Sequence, residues 1–119
     1  GQLVLNKTVA GRNWDEVKGN IKFRVTDDRG VVKEEVSGTA LVRGQNGVYT
    51  YTVAGLEVGK TYKVKEIFEN EDSGYSRATT VSVNAGTAGN AEETSFTIPV
   101  SGADTTIHFA NTYTQKKER

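Results

Sequence analysis

The stretch IHFANTY at residues 107–113 decides the fold class, because its side chains alternate as those of a β-strand do. Successive side chains of a strand point to opposite faces, so Ile107, Phe109 and Tyr113 share one face. Asn111 lies on that same face. The pattern therefore places a carboxamide where it predicts a residue of the hydrophobic core.

Two other stretches share this feature. LVLNKTV at residues 3–9 places Lys7 on its apolar face, and YKVKEIF at residues 62–68 does the same with Glu66. The three strands are far apart in the chain, and each carries one polar side chain at a core position. These side chains are the amine of Lys7, the carboxyl group of Glu66 and the carboxamide of Asn111. These three groups form a chemically complementary set, and burying their charges without reaction is costly.

The rest of the chain also favours short strands joined by turns. Thr, Val and Tyr are frequent, glycine occurs 13 times and proline once. We predict an all-β sandwich of about seven to eight mostly antiparallel strands, forming one domain at residues 1–113 with a polar tail or linker stub at 114–119. Asn13 is expected to cap a short helix, with Trp14 closing one end of the core. Further strands are predicted at 21–26, 31–36, 49–53, around Val81 and Val83, and at 96–100.

Composition excludes several classes of function. The chain has 119 residues, with 15 Lys and Arg against 15 Asp and Glu, so its net charge indicates neither a nucleic acid nor an anionic membrane as partner. It has no cysteine and one histidine, which rules out disulfides, thiolate metal sites and multi-histidine sites. We expect no metal and no cofactor. The sequence shows no membrane-spanning stretch or leader, and, having no methionine, it is expected to be an excised or processed piece.

The three polar residues suggest one reaction if they meet in the core. Burial lowers the pKa of Lys7 and raises that of Glu66, which yields a free amine beside a protonated acid. The acid is expected to hydrogen-bond the side-chain carbonyl of Asn111 and then to shuttle a proton as ammonia leaves. The product is an amide between the Lys7 and Asn111 side chains. The high effective concentration of the amine lets the carboxamide of Asn111, a poor electrophile, react. Each chain reacts only once.

The chain resembles CnaB-type domains, the Ig-like stalk and pilin modules of Gram-positive surface proteins. In that family an autocatalytic isopeptide bond joins a lysine of the first strand to an asparagine of the last, with a mid-chain glutamate as catalyst. The resemblance implies Lys7 and Asn111 as the bonded pair and Glu66 as catalyst. It spans nearly the whole chain and is carried by LNKTV at 5–9, YKVKE at 62–66 with Gly74-Tyr75, and FANTY at 109–113.

The resemblance also implies a function and a place. It predicts a stalk or spacer domain of a cell-surface adhesin or pilin, extracellular and attached to the cell wall, with neighbouring domains of the same protein as partners. A host or matrix ligand stays open. From the balanced charge we expect no nucleic acid or membrane as partner, and we expect the isolated domain to be monomeric. Asp72-Ser73 replaces the family's frequent Ala-Pro, which affects the prediction for that loop only. The chain ends without a sortase signal, so anchoring through this piece is not expected.

Other interpretations remain open at this level. Lys7 can lift its amine into water, Glu66 can lie solvated at an edge, and Asn111 can bond nearby backbone. The chain can also be a ligand-binding adhesin module using residues 84–94 or the Trp14 segment, or an accessory sandwich of a secreted enzyme without a cross-link. A conventional enzyme is not expected, because catalytic motifs are absent and the single histidine, His108, lies on the outward face of its strand.

Overall fold

The computed structural model describes residues 1–117 and consists of two β-sheets that enclose one hydrophobic core. Within those residues, eight strands of five or more residues and two of two residues confirm the predicted all-β sandwich. One short α-helix and three single 3₁₀ turns, at Lys18–Asn20, Gly38–Ala40 and Gln45–Gly47, connect them. The elements are β1 Leu3–Ala10, α1 Trp14–Val17, β2 Ile21–Asp27, β3 Val32–Ser37, β4 Val42–Arg43, β5 Tyr49–Val53, β6 Thr61–Phe68, β7 Tyr75–Val83, β8 Gly89–Asn90, β9 Glu93–Thr97 and β10 Thr105–Gln115.

The first and last long strands lie side by side in the middle of one sheet. That sheet has the order β4-β5-β1-β10-β7-β8, and the facing sheet has the order β3-β2-β6-β9. β1 and β10 pair in parallel, whereas the other strand pairs within residues 1–117 are antiparallel. The two ends of the domain are therefore hydrogen-bonded neighbours, while β6 approaches them from the opposite sheet.

Alternation of side chains builds the core as the sequence predicts. Every second residue of β1, β2, β6 and β10 is buried over most of each strand. Phe23 of β2 and Phe109 of β10 meet between the sheets, with their ring centroids 5.4 Å apart. Each fully buried aliphatic or aromatic side chain of this kind contributes roughly 1.5–3 kcal/mol relative to an exposed one. The core therefore fixes which faces of β1, β6 and β10 point inward.

The short helix begins where the sequence predicts. The backbone N–H of Asn13 donates to the Glu16 carboxylate at 3.1 Å, which satisfies one of the donors left free at a helix start. Trp14 is buried, and its ring lies 5.2 Å from that of Tyr49. The indole thus closes one end of the core.

Three strand boundaries differ from the sequence predictions. β7 begins at Tyr75, well before Val81. The prediction missed its first half because Arg77 and Thr79 occupy the face of Val81, so that half shows no alternation of hydrophobic and polar residues. β9 ends at Thr97, and Val100 is 84% exposed, so its assignment to the strand was wrong. Pro99 has no N–H for pairing with a neighbouring strand. β10 continues to Gln115 and so includes the first two residues of the predicted tail. The last two residues of that tail, Glu118 and Arg119, lie outside the described residues.

Within residues 1–117, no helix has both the length and the apolar character that crossing a bilayer requires.

Candidate functional site

Lys7, Glu66 and Asn111 converge in the interior between the two sheets. Lys7 comes from β1, Asn111 from the adjacent strand β10, and Glu66 from β6 in the facing sheet. Their side chains are enclosed, with relative exposures of 0%, 1% and 1% in the order Lys7, Glu66, Asn111. The solvated alternatives for Lys7 and Glu66 therefore do not hold, and the three residues chosen from the sequence form one cluster.

Strand register accounts for this meeting. In the parallel pair, Lys7 lies opposite Phe109, and Val9 lies opposite Asn111. Lys7 and Asn111 are therefore diagonal neighbours on the core face of adjacent strands, a separation that a lysine side chain can bridge. Glu66 pairs with Phe23, whose ring packs against Phe109. The carboxyl group consequently projects toward the two partners from the opposite sheet.

One carboxylate oxygen contacts both partners. The Nζ of Lys7 lies 3.0 Å from the Oε2 of Glu66, and the Nδ2 of Asn111 donates to that same oxygen at 3.1 Å. The contact between Lys7 and Glu66 is an ion pair without hydrogen-bond geometry, and within residues 1–117 neither Nζ nor the other oxygen of Glu66 has a hydrogen-bond partner. Buried polar atoms left unpaired in this way cost free energy. The cluster is thus an energetically costly arrangement for a permanent ion pair.

Burial shifts both ionisable groups toward their neutral forms. It lowers the pKa of Lys7 from 10.5 to about 8, although the nearby Glu66 carboxylate opposes the shift. Burial also raises the pKa of Glu66, against the opposing effects of Lys7 and the Asn111 amide. A lowered pKa increases the fraction of Lys7 that is a free amine at neutral pH. Burial therefore favours the neutral amine of Lys7 and the protonated acid of Glu66.

A contact with a threonine hydroxyl changes the expected roles around Asn111. The Oδ1 of Asn111 accepts a hydrogen bond of 2.8 Å from the Oγ1 of Thr79, which pairs directly with Asn111 across β7 and β10. The prediction that Glu66 hydrogen-bonds this carbonyl was wrong, because Thr79 takes that position and Glu66 faces the amide nitrogen. Glu66 thus contacts the amide nitrogen of Asn111, not its carbonyl oxygen.

Thr79 is itself held by Arg77, and the sequence analysis missed both residues. The guanidinium Nη1 of Arg77 donates to the Oγ1 of Thr79. Glu71 accepts from Arg77 at 2.8 and 3.0 Å, and Glu92 accepts at 3.1 Å. The guanidinium also lies 3.3 Å from the centroid of the Phe68 ring. Burial acts against the charge of Arg77, but the bonds to Glu71 and Glu92 leave its pKa raised. A usable signal existed: Thr79 shares the strand face of Val81.

The family model described as "Domain of unknown function (DUF5979)" matches residues 3–114, from the first residue of β1 to the last but one of β10. The chain belongs to the DUF5979 family. The match includes all three clustered strands of this DUF5979 domain. No curated protein matches the chain.

Among solved structures, the DUF5979 domain is similar to streptococcal major pilins. One is a mutant of the major pilin from Streptococcus pyogenes, at 19% identity and a TM-score of 0.49, covering 93% of this chain and 47% of that chain. Another is the major pilin of a single S. pyogenes serotype, at 18% identity and a TM-score of 0.47, covering 93% of this chain and 44% of that chain. The DUF5979 domain therefore spans about half the length of these pilins.

The other residues considered from the sequence lie apart from the cluster. His108 is half-buried on the outer face of β10, where its ring nitrogen lies 2.8 Å from the Thr8 hydroxyl, and burial lowers its pKa. Residues 84–94 of the DUF5979 domain are almost all exposed and include β8. Trp14 contributes its ring to the core. Within residues 1–117, no group of three or more histidine, aspartate and glutamate side chains is arranged to hold a metal ion.

Proposed function

We propose that this domain is a CnaB-type structural stalk or spacer that cross-links itself through an isopeptide bond between Lys7 and Asn111, promoted by Glu66. The observation that carries the proposal is the contact of all three side chains in the closed core, with one Glu66 oxygen touching both the Lys7 amine and the Asn111 amide. Lysine, glutamic acid and asparagine brought together without water have the chemistry of an intramolecular aminolysis.

The reaction conserves protons within the cluster. The free amine of Lys7 attacks the Cγ of Asn111, a bond forms between Nζ and Cγ, and the bond between Cγ and Nδ2 breaks. Glu66 gives its proton to Nδ2, which leaves as ammonia, and recovers one from Nζ. The acid therefore ends as it began, and the chain reacts once, without the turnover of an enzyme.

The position of the bond would determine how the domain carries load. β1 and β10 are parallel neighbours, and the bond would link their C-terminal halves. Tension on the two termini would pass from residue 7 directly to residue 111, so the strands between would bear almost none. The chain has no cysteine, and the amide would supply a covalent closure that needs no oxidant. This suits an extracellular surface protein in which neighbouring domains flank a monomeric module.

Intact mass tests the proposal. Purified wild-type chain should be lighter than its sequence by one ammonia, and tandem mass spectrometry of a tryptic digest should yield a branched peptide joining Lys7 to Asn111. Glu66→Gln should have the full mass expected for its sequence, because a neutral amide cannot shuttle the proton. Lys65→Ala, on the exposed face of the same strand, is the control and should lose ammonia as the wild type does. A wild-type chain of full mass would refute the cross-link.

A further inference from the structure

We propose that Thr79 is a second catalytic residue of the cross-linking reaction, and that Arg77 is its positioning residue. The Thr79 hydroxyl would stabilise the negative charge that develops on the Oδ1 of Asn111 when the amine attacks. This inference rests on the proposed function and adds to it an oxyanion-stabilising hydroxyl on β7, a strand that contributes none of the three residues identified from the sequence.

The geometry already matches that role. Thr79 is 8% exposed, lies directly opposite Asn111 on the neighbouring antiparallel strand, and places its Oγ1 2.8 Å from Oδ1. The donor is fixed by strand pairing and needs no rearrangement as charge builds up. Donors aimed beforehand at a developing oxyanion in a water-excluded site are among the strongest sources of rate enhancement.

Arg77 determines the direction of the hydroxyl proton. A guanidinium can only donate, so Arg77 occupies a lone pair of the Thr79 oxygen and leaves the single hydroxyl proton for another acceptor. The acceptor in reach is the Oδ1 of Asn111. Because Oδ1 is thereby held toward Thr79, Nδ2 is held toward Glu66. The orientation of the carboxamide thus follows from the network.

The two catalytic groups then act on different atoms of Asn111. When Nζ bonds to Cγ, the carbonyl electron pair moves onto Oδ1, where Thr79 donates to it. When the pair returns to re-form the carbonyl, the bond to Nδ2 breaks and Glu66 supplies the proton that leaves with ammonia. The positive charge of Arg77, anchored by Glu71 and Glu92, acts on the oxyanion through the Thr79 hydroxyl. Protons and electrons balance without any added reagent.

The test follows ammonia loss over time in freshly made, full-length chain. The protein is produced by a short pulse of cell-free synthesis, and intact mass is read during the chase. Thr79→Val keeps the shape and strand propensity of threonine but removes the hydroxyl, and it should slow ammonia loss by about a hundredfold. Thr79→Ser should react within a few-fold of wild type. Thr80→Val, which faces the other side of the same strand, should react at the wild-type rate.

A double-mutant comparison tests Arg77. Arg77→Met should slow the reaction in the wild-type background but add almost nothing to Thr79→Val, because its effect passes through that hydroxyl. A purely structural role would slow both backgrounds by the same factor. Circular dichroism checks folding, and Thr79→Ala tests the same hydroxyl if the valine variant does not fold.

The outcomes separate the two proposals. If the wild type loses ammonia and the folded variants lacking the hydroxyl do so equally fast, Thr79 has no catalytic role and the proposed function stands. If Thr79→Ser is as slow as Thr79→Val, the hydroxyl is not what matters and the inference is overturned. If the wild type keeps its full mass, the proposed function fails and this inference with it.

Discussion

At the residue scale, Lys7 and Glu66 are two ionisable groups that are buried at a cost in stability. Both groups are enclosed, and the ordinary outcome for two charges in that position is a desolvation cost that their attraction does not fully repay. Their pKa values move toward each other, Lys7 downward and Glu66 upward. An amide between Lys7 and Asn111 would remove the lysine charge permanently. The same burial that makes the site costly would therefore promote the proposed reaction.

The rate of cross-linking should depend on pH as a bell. The reactive form of the pair holds one proton, on Glu66, while Lys7 is neutral. Above the Lys7 pKa of about 8 the pair holds no proton, so Glu66 cannot act as an acid. Below the pKa of Glu66, which is raised from 4.5, the pair holds two protons and the Lys7 amine is charged. Ammonia loss from freshly synthesised chain, measured by intact mass from pH 4 to 10, should fall above about pH 8 and again in acid, once both groups are protonated. A rate still rising at pH 10 would exclude Glu66 as the required acid.

At the element scale, the approach of β1 to β10 places the amine beside the carboxamide. Just beyond β1, Gly11 has a φ of +85°, and a Cβ there would collide with the backbone carbonyl of Tyr113. Tyr113 lies two residues beyond Asn111 on β10. The absence of a side chain at position 11 therefore lets the two strands stay together at the end that carries the site.

Gly11→Ala should destabilise the domain more than a conformational effect alone predicts. A non-glycine residue at positive φ costs on the order of 1 kcal/mol, and the clash with Tyr113 should raise the loss to about 3 kcal/mol. Gly30→Ala is the matched control, because Gly30 has a φ of +79° but open space around it. Urea unfolding in the Glu66→Gln background, which lacks the proposed bond, measures both. Equal losses for the two variants would show that the strand contact tolerates a methyl group.

The half of β7 that the sequence did not predict carries the residue that contacts the Asn111 carbonyl. Its second half was predicted from Val81 and Val83, but its first half carries Arg77 and Thr79 at core positions and gives no hydrophobic alternation. Thr79 is useful because it lies opposite Asn111, and that register depends on how β10 inserts between β1 and β7. No local sequence pattern specifies a neighbour 32 positions away.

At the scale of the whole molecule, the proposed bond closes a loop of about 100 residues. In the chain-entropy model such a closure stabilises the folded state by about 4–5 kcal/mol, since the unfolded chain loses conformational freedom. The bond would also hold together strands from opposite ends of the sequence. Resistance to unfolding and to proteases should follow from this one connection.

Lys7→Ala and Asn111→Ala should each unfold more readily and be cut faster by trypsin. Each removes the bond and also leaves a cavity and unpaired polar atoms, so the loss should be at least about 4 kcal/mol. Chemical denaturation and a trypsin time course measure the two effects. Lys63→Ala, exposed on β6, removes a lysine without touching the site. Equal protease lifetimes for wild type and both site variants would show that the bond is absent or irrelevant.

Pulling on the two termini should distinguish cross-linked from uncross-linked chains directly. In the wild type, residues 8–110 should not extend, because the load bypasses them. Glu66→Gln should release that segment on unfolding, adding a contour length of about 35 nm at roughly 3.4 Å per residue. Single-molecule force spectroscopy of a tandem array with a marker domain records the difference. A wild-type extension of the same length would contradict a covalent link between β1 and β10.

The sequence by itself determined the all-β class, the inward faces of β1, β6 and β10, and the three polar residues on those faces, because side-chain alternation is a local property of a strand. It also indicated that burial would move the pKa values of Lys7 and Glu66 in opposite directions. Only the tertiary structure decided that the three residues meet, that Glu66 faces the amide nitrogen of Asn111, and that Thr79, itself held by Arg77, donates to the Asn111 carbonyl. Those facts depend on strand order and register, which are set by the packing of distant segments around a shared core.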